Sequence, residues 1–235
     1  MKTRTRVSAI ALVITVVAGI LAPAANAAAT RYITVSAQGA VKVVPDAVRI
    51  NATATAVAAT SKEALAATAK TASAVRATLK NAKIDAKDIA TQSVTVYPEY
   101  KYTNDGGSTL TGYRGSQSFT ITVRAADTAG ALVDSLVAAG GDNLQINGAT
   151  PFILDSTKSL EAARAAAVKS AKAKATSYAQ LMGVKLGKVN YLVENTAPSN
   201  YTPVMAVAKA ESDATVIDLG QQDVTISVTV QWSLL

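Results

Sequence analysis

The C-terminal stretch QDVTISVTVQWSLL (222–235) sets Val224, Ile226, Val228, Val230 and Trp232 in alternation with Thr225, Ser227, Thr229 and Gln231. A period of two puts one set on a buried face and the other on an open face, which predicts a half-buried strand. The same alternation runs through RYITVSAQG (31–39), with Ile33, Val35 and Ala37 inward. It recurs in DAVRINATATAV (46–57), with Val48, Ile50, Ala52, Ala54 and Ala56 inward. Between those two, Pro45 lacks an amide donor and predicts a strand start or a sheet edge. TQSVTVYPEYKY (91–102), LTGYRGSQSFTITVRA (110–125), LQINGATPFILD (144–155) and KVNYLVE (188–194) predict the remaining strands.

Three stretches change to helical spacing. From Ser61, read as an N-cap, to about Ala82, the residues Leu65, Thr68, Ala72, Val75 and Leu79 fall on one stripe. A second helix opens on an Asp127 cap and closes at Gly140-Gly141, with Leu132, Leu136 and Val137 buried. The longest runs from Ser156 to Met182, with Leu160, Ala163, Ala167, Ala171, Ala175, Tyr178 and Met182 inward and Gly183 as its stop. Lys169, Lys172 and Lys174 lie off that stripe and predict a solvated face.

The predicted order is β-β-α-β-β-α-β-α-β-β. Alternating, half-polar strands favour an α+β fold: a largely antiparallel twisted sheet with helices packed on one side. The helix stripes are mostly alanine and the chain has only two phenylalanines. Alanine permits close helix-to-sheet packing and buries little apolar area, so self-association is expected to add support. Residues 195–220 show no periodicity and predict a long flexible loop.

The ends and the charge narrow the setting. Lys2, Arg4 and Arg6 precede an apolar run from Val7 to about Ala22, then Pro23 and Ala25-Asn26-Ala27. That order describes a secretory signal peptide over 1–27, leaving 28–235 as a single exported domain. No later stretch is apolar for long enough to span a membrane. The net charge of +7 loses three cations with the leader and falls to +4. No basic stripe is interleaved with aromatics, so nucleic acid is not an expected partner.

The chain contains no histidine and no cysteine. It cannot assemble a Ser-His-Asp or Cys-His nucleophile, and the usual zinc, copper and non-haem iron sites lose their ligands. Asp155, Ser156 and Glu161 cluster at a helix start, where capping explains them. DSTKSLE lacks the glycine and third acidic ligand of a calcium loop. The expectation is a non-enzymatic protein with no catalytic residue, metal or cofactor.

Four of the eight tyrosines fall in YPEYKYTNDGGSTLTGYRG (97–115). Val94 and Val96 on one strand and Phe119, Ile121 and Val123 on the other set the inward parity. A turn at Asp105-Gly106 then pairs Tyr102 with Thr109 and Pro98 with Tyr113, a self-consistent hairpin. Tyr100, Tyr102 and Tyr113 extend past the expected helical cover. They serve either as cross-strand packing or as a contact surface for a partner.

Several stretches resemble one family. GAVKVVPDAVRI is similar to the opening of the SIMPL-domain family of exported bacterial proteins. GYRGSQSFTITV resembles its central strand, with Gly115 where the family usually has alanine. The Ala/Lys-rich helix, the Gly-Val-Lys-Leu-Gly turn after it and the final strand also fit, in order, over about 31–235. The resemblance implies a periplasmic or cell-envelope location, homo-oligomers and a link to envelope or oxidative stress. It implies no catalytic residues; Pro45, Asp46, Gly112 and Tyr113 carry over as structural positions. The leading expectation is a self-associating envelope or secreted protein that contacts other envelope components. The alternative is a module that binds a small molecule or an envelope polymer between the tyrosine hairpin and the 195–220 loop.

Overall fold

The structure, a computed structural model, describes residues 31–102, 106–195 and 214–235. The predicted leader and the central part of the predicted loop lie outside the described residues. The strands are β1 (Tyr32–Val43), β2 (Ala47–Ala58), β3 (Ile89–Tyr102), β4 (Ser108–Val123), β5 (Leu144–Phe152), β6 (Leu186–Asn195) and β7 (Gln222–Leu234). The helices are α1 (Ser61–Asn81) after β2, α2 (Ala129–Gly140) after β4 and α3 (Thr157–Leu181) after β5. The fold is α+β and every strand pairing is antiparallel. No helix among the described residues is long and apolar enough to cross a membrane.

The strands form two sheets, where alternation alone predicts one. A three-stranded sheet runs β1-β7-β6 and a four-stranded sheet runs β3-β4-β2-β5. The chain leaves the first sheet at Val43 and enters the second at Ala47. Pro45 sits in the gap and is buried. A proline has no N–H to offer a ladder, so pairing stops there and the chain can change sheets.

Each sheet carries helices on one face. On the larger sheet, Val48, Ile50, Phe119 and Ile121 pack against Val75 and Leu79 of α1 and Leu132 and Leu136 of α2. On the smaller sheet, Val35, Val224, Ile226, Val228 and Trp232 meet Ala163, Ala167, Ala171 and Ala175 of α3. The alanine stripe brings α3 so close that a Cβ added to Gly39 of β1 would fall on the α3 backbone at Ala163 and Ala167. Gly115 of β4 lies under α1 in the same way, with Ala64 and Thr68 above it.

That close packing explains where the helix predictions miss. α1 rests on Ala64, Thr68, Ala72, Val75 and Leu79, and Leu65 stands to one side at 43% exposure. Buried Thr68 turns its hydroxyl to the Ala64 carbonyl at 2.9 Å. In α3 the stripe continues to Ala179, leaving Tyr178 and Met182 exposed; Val137 of α2 is also outside. A large side chain beneath these helices would hold them off the sheet. Thr60, rather than Ser61, is the N-cap of α1: it accepts the Glu63 amide, and the Glu63 carboxylate accepts the Thr60 amide. Asp127 lies in a short 3-10 turn, and α2 starts after Thr128 without a side-chain cap.

Candidate functional site

The β3–β4 hairpin begins in the predicted register. Val96 faces Gly115 and Pro98 faces Tyr113. Beyond Glu99 the register slips, because Thr111 is an extra residue on β4. Tyr100 then faces Leu110, and Tyr102 faces Ser108 rather than Thr109. A bulge of this kind bends the strand and increases its twist. Gly112 allows it, since a Cβ there would lie 2.8 Å from the Ala58 carbonyl oxygen of β2. The Thr111 hydroxyl donates to the Glu99 carbonyl at 2.9 Å and closes the bulge.

The two faces of the hairpin differ. On the open side, Arg114 donates to Glu99 at 2.6 Å, and this bond raises the guanidinium pKa above its ordinary value. Tyr97 pairs across the strands with Arg114 on that side. On the helix side β3 shows Val94, Val96, Pro98, Tyr100 and Tyr102 in succession. The first turns of α1 lie over Gly115, so the hairpin runs past its helical cover. Tyr100 and Tyr102 are 46% and 77% exposed; Tyr113 is half-buried beside Ala58 and Pro98. The three predicted residues therefore divide: Tyr113 packs at the base of the arm, and Tyr100 and Tyr102 stand free on it.

Pro45 and Asp46 lie elsewhere. The Asp46 carboxylate accepts the Leu154 amide at 2.8 Å, and Gln222 donates to the Pro151 carbonyl at 2.9 Å. Both bonds sit where the chain passes between its sheets. These residues hold the junction and share no surface with the tyrosines in the contacts they make.

Other carboxylates also have structural partners. Asp88, 7% exposed at its side chain, receives two hydrogen bonds of 2.7 Å from Arg124. Those bonds hold its pKa below the usual carboxylate value against the opposing effect of burial. The Thr215 hydroxyl and amide bind Asp134 and lower its pKa likewise. Asp155 accepts the Thr157 amide at the start of α3 and is lowered by Thr157. Glu194 pairs with Arg164 at 2.8 Å. Among the described residues, no three Asp or Glu gather as a metal centre would need.

The Thr215–Asp134 contact also places the described end of the predicted loop. Ile217 and Leu219 pack on the larger core, and Thr215 lies against α2 at Gly130. α1 sits between α2 and β3, so residues 214–220 do not reach the tyrosines; 196–213 are outside the described residues. Sequence reasoning missed this docking, and it missed Leu110 as the neighbour of Tyr100. The signal for the latter was Gly112, a glycine inside an otherwise alternating strand.

Residues 33–232 match the family model SIMPL, described as "Protein of unknown function (DUF541)". The chain is similar to the "26 kDa periplasmic immunogenic protein" of Brucella melitensis, with 28% identity over 215 residues, 86% of this chain and 84% of that one. It is also similar to "Uncharacterized protein YggE" of Edwardsiella ictaluri, with 31% identity over 150 residues, 61% of each chain. The protein of the same name from Escherichia coli K12 is 32% identical over 133 residues, 55% of this chain and 52% of that one.

Proposed function

The chain belongs to the SIMPL family, and on that premise we propose that it is an exported, non-catalytic envelope protein that works by associating with copies of itself. The observation that carries this reading is the pair Tyr100 and Tyr102, exposed on a hairpin that extends beyond its helices. Tyrosine rings bury much area for little lost side-chain freedom, which makes such an arm a contact element. Similarity to a protein named as periplasmic, together with the leader pattern, supports export. The non-catalytic part is supported by a chain without histidine or cysteine and by carboxylates occupied in caps and ion pairs. The envelope or oxidative stress link is part of the same proposal and rests on the family resemblance alone. A small-molecule or polymer site between the hairpin and the 195–220 loop gains no support from residues 214–220, which lie on α2.

Replacing Tyr100 and Tyr102 together by serine tests the proposal. The expected result is a smaller particle with unchanged circular dichroism. An assembly of unaltered mass would remove the arm from the account.

A further inference from the structure

α1 covers β2 and β4 and leaves the edge strand β3 beside it on the helix side. Its opposite flank meets α2, so a gutter remains between α1 and the inward face of β3. At the C-terminal end of α1 this gutter opens into a cleft of about 460 Å³, lined by Arg76, Lys80, Ile84, Ala86, Ile89 and Thr91. Ile84 and Ile89 also pack on the larger core, so the floor is fixed and apolar. The Arg76 guanidinium lies 5.1 Å from the Phe119 ring centre and is held there as a cation over an aromatic face.

Beyond the cleft, the flank of α1 that carries Arg76 runs back beside β3 toward the start of the helix. Leu65 lies on the same flank as Arg76, three helical turns earlier. Gly115 sits under Ala64 and Thr68 and pairs with Val96, which sets the first turns of α1 level with Val96. Val94, between Thr91 and Val96 on that face, is 52% exposed, a large apolar side chain with no helix above it. Gln92 is bulged out of the ladder, so Thr91 to Val96 matches the four residue steps from Gly115 to Phe119 on β4 and gives a length of roughly 13 Å.

Charge decides what fits there. Arg76 and Lys80 are one helical turn apart, and neither is among the ion pairs of the described residues. The nearby Asp85 and Asp88 are engaged by Lys87 and Arg124. An isoleucine floor and exposed Val94, beside two cations that have no ion pair among the described residues, complement an anion bearing one unbranched apolar chain. We propose that the α1–β3 gutter binds a long-chain carboxylate, with the head group between Arg76 and Lys80 and the chain along Val94 and Val96 toward Leu65. This site does not depend on the tyrosine arm or on self-association.

The test is calorimetric titration of the mature protein with dodecanoate below its micelle concentration, beside dodecyltrimethylammonium, which has the same chain and the opposite charge. The expected result is saturable binding of dodecanoate at one site per chain, with the cationic amphiphile weaker by about tenfold or more. Lys80→Gln removes a head-group contact at an exposed position, and Val94→Glu puts a charge in the gutter; each weakens dodecanoate binding by about tenfold, with thermal unfolding unchanged. Lys80→Gln carries the head-group test if Arg76→Gln proves unstable through the loss of its Phe119 contact. Absence of saturable binding, equal binding of both amphiphiles, or unaltered binding in Lys80→Gln and Val94→Glu would each overturn the proposal.

Discussion

Asp46 and Leu154, 108 positions apart, are joined by a 2.8 Å hydrogen bond from the Leu154 amide to the Asp46 carboxylate. Asp46 follows the proline at which the chain leaves the three-stranded sheet. Leu154 lies between β5 and α3, where it returns. The bond ties the outgoing crossing to the incoming one. The Gln222–Pro151 hydrogen bond lies at the same junction, where Pro45 is buried.

Asp46→Ala is therefore expected to lower stability by about 1 kcal/mol, the usual worth of one such bond. Asp46→Asn keeps a side-chain oxygen acceptor and recovers most of the loss. Urea unfolding followed by circular dichroism measures both. Equal midpoints for the alanine variant and the parent protein would remove the tie from the account.

Gly115 and Thr68 make a second prediction. A Cβ on Gly115 would meet the Thr68 hydroxyl oxygen at 2.5 Å and the Ala64 carbonyl oxygen at 2.7 Å. The second of these is backbone and cannot rotate away. Gly115→Ala should force α1 off the sheet and cost about 1–3 kcal/mol, the range for overpacking a tight core. A thermal midpoint at or above that of the parent would show that α1 yields freely.

The cap of α1 separates two adjacent residues. Thr60→Ala removes the oxygen that accepts the Glu63 amide and is expected to cost about 1 kcal/mol. Ser61→Ala, one position inside the helix, is expected to be near neutral. Comparison of the two unfolding midpoints checks the assignment.

Asp88 gives a pH dependence whose sign follows from its lowered pKa. Its ordinary value is 3.8, and the Arg124 hydrogen bonds hold it lower in the folded chain. A depressed folded-state pKa contributes stability that is fully present above the unfolded value and is lost as pH falls through the folded one. Asp88→Asn is therefore less stable than the parent at about pH 7, and the gap closes on acidification below the ordinary value. Unfolding midpoints across that window measure it; a gap that stayed constant into strong acid would contradict the assignment.

Local pattern carried much of the architecture. Period-two alternation placed the inward residues of β2, β4 and β7, and parity alone paired Pro98 with Tyr113. The division into two sheets was hidden because alternation looks the same in either sheet. The β1–β7 ladder joins the two ends of the described chain, pairing Tyr32 with Ser233. Leu65 was misplaced by hydrophobicity, since Gly115 admits only the smaller Ala64 and Thr68 above it. The slip from Thr109 to Ser108 opposite Tyr102 depended on one unpaired residue, Thr111. The gutter beside β3 depends on the sideways position of α1, which no single strand or helix pattern encodes.

The central claim, that this chain acts by self-association through its tyrosine arm, is tested most directly by sedimentation of the mature protein over a wide concentration range, beside the Tyr100→Ser, Tyr102→Ser double variant, which leaves Tyr113 packed at the base of the arm. The account predicts a multimer for the parent and a lower mass for the variant at every concentration, both folded. A parent that sediments as a monomer throughout, or a variant that matches its mass, would contradict it.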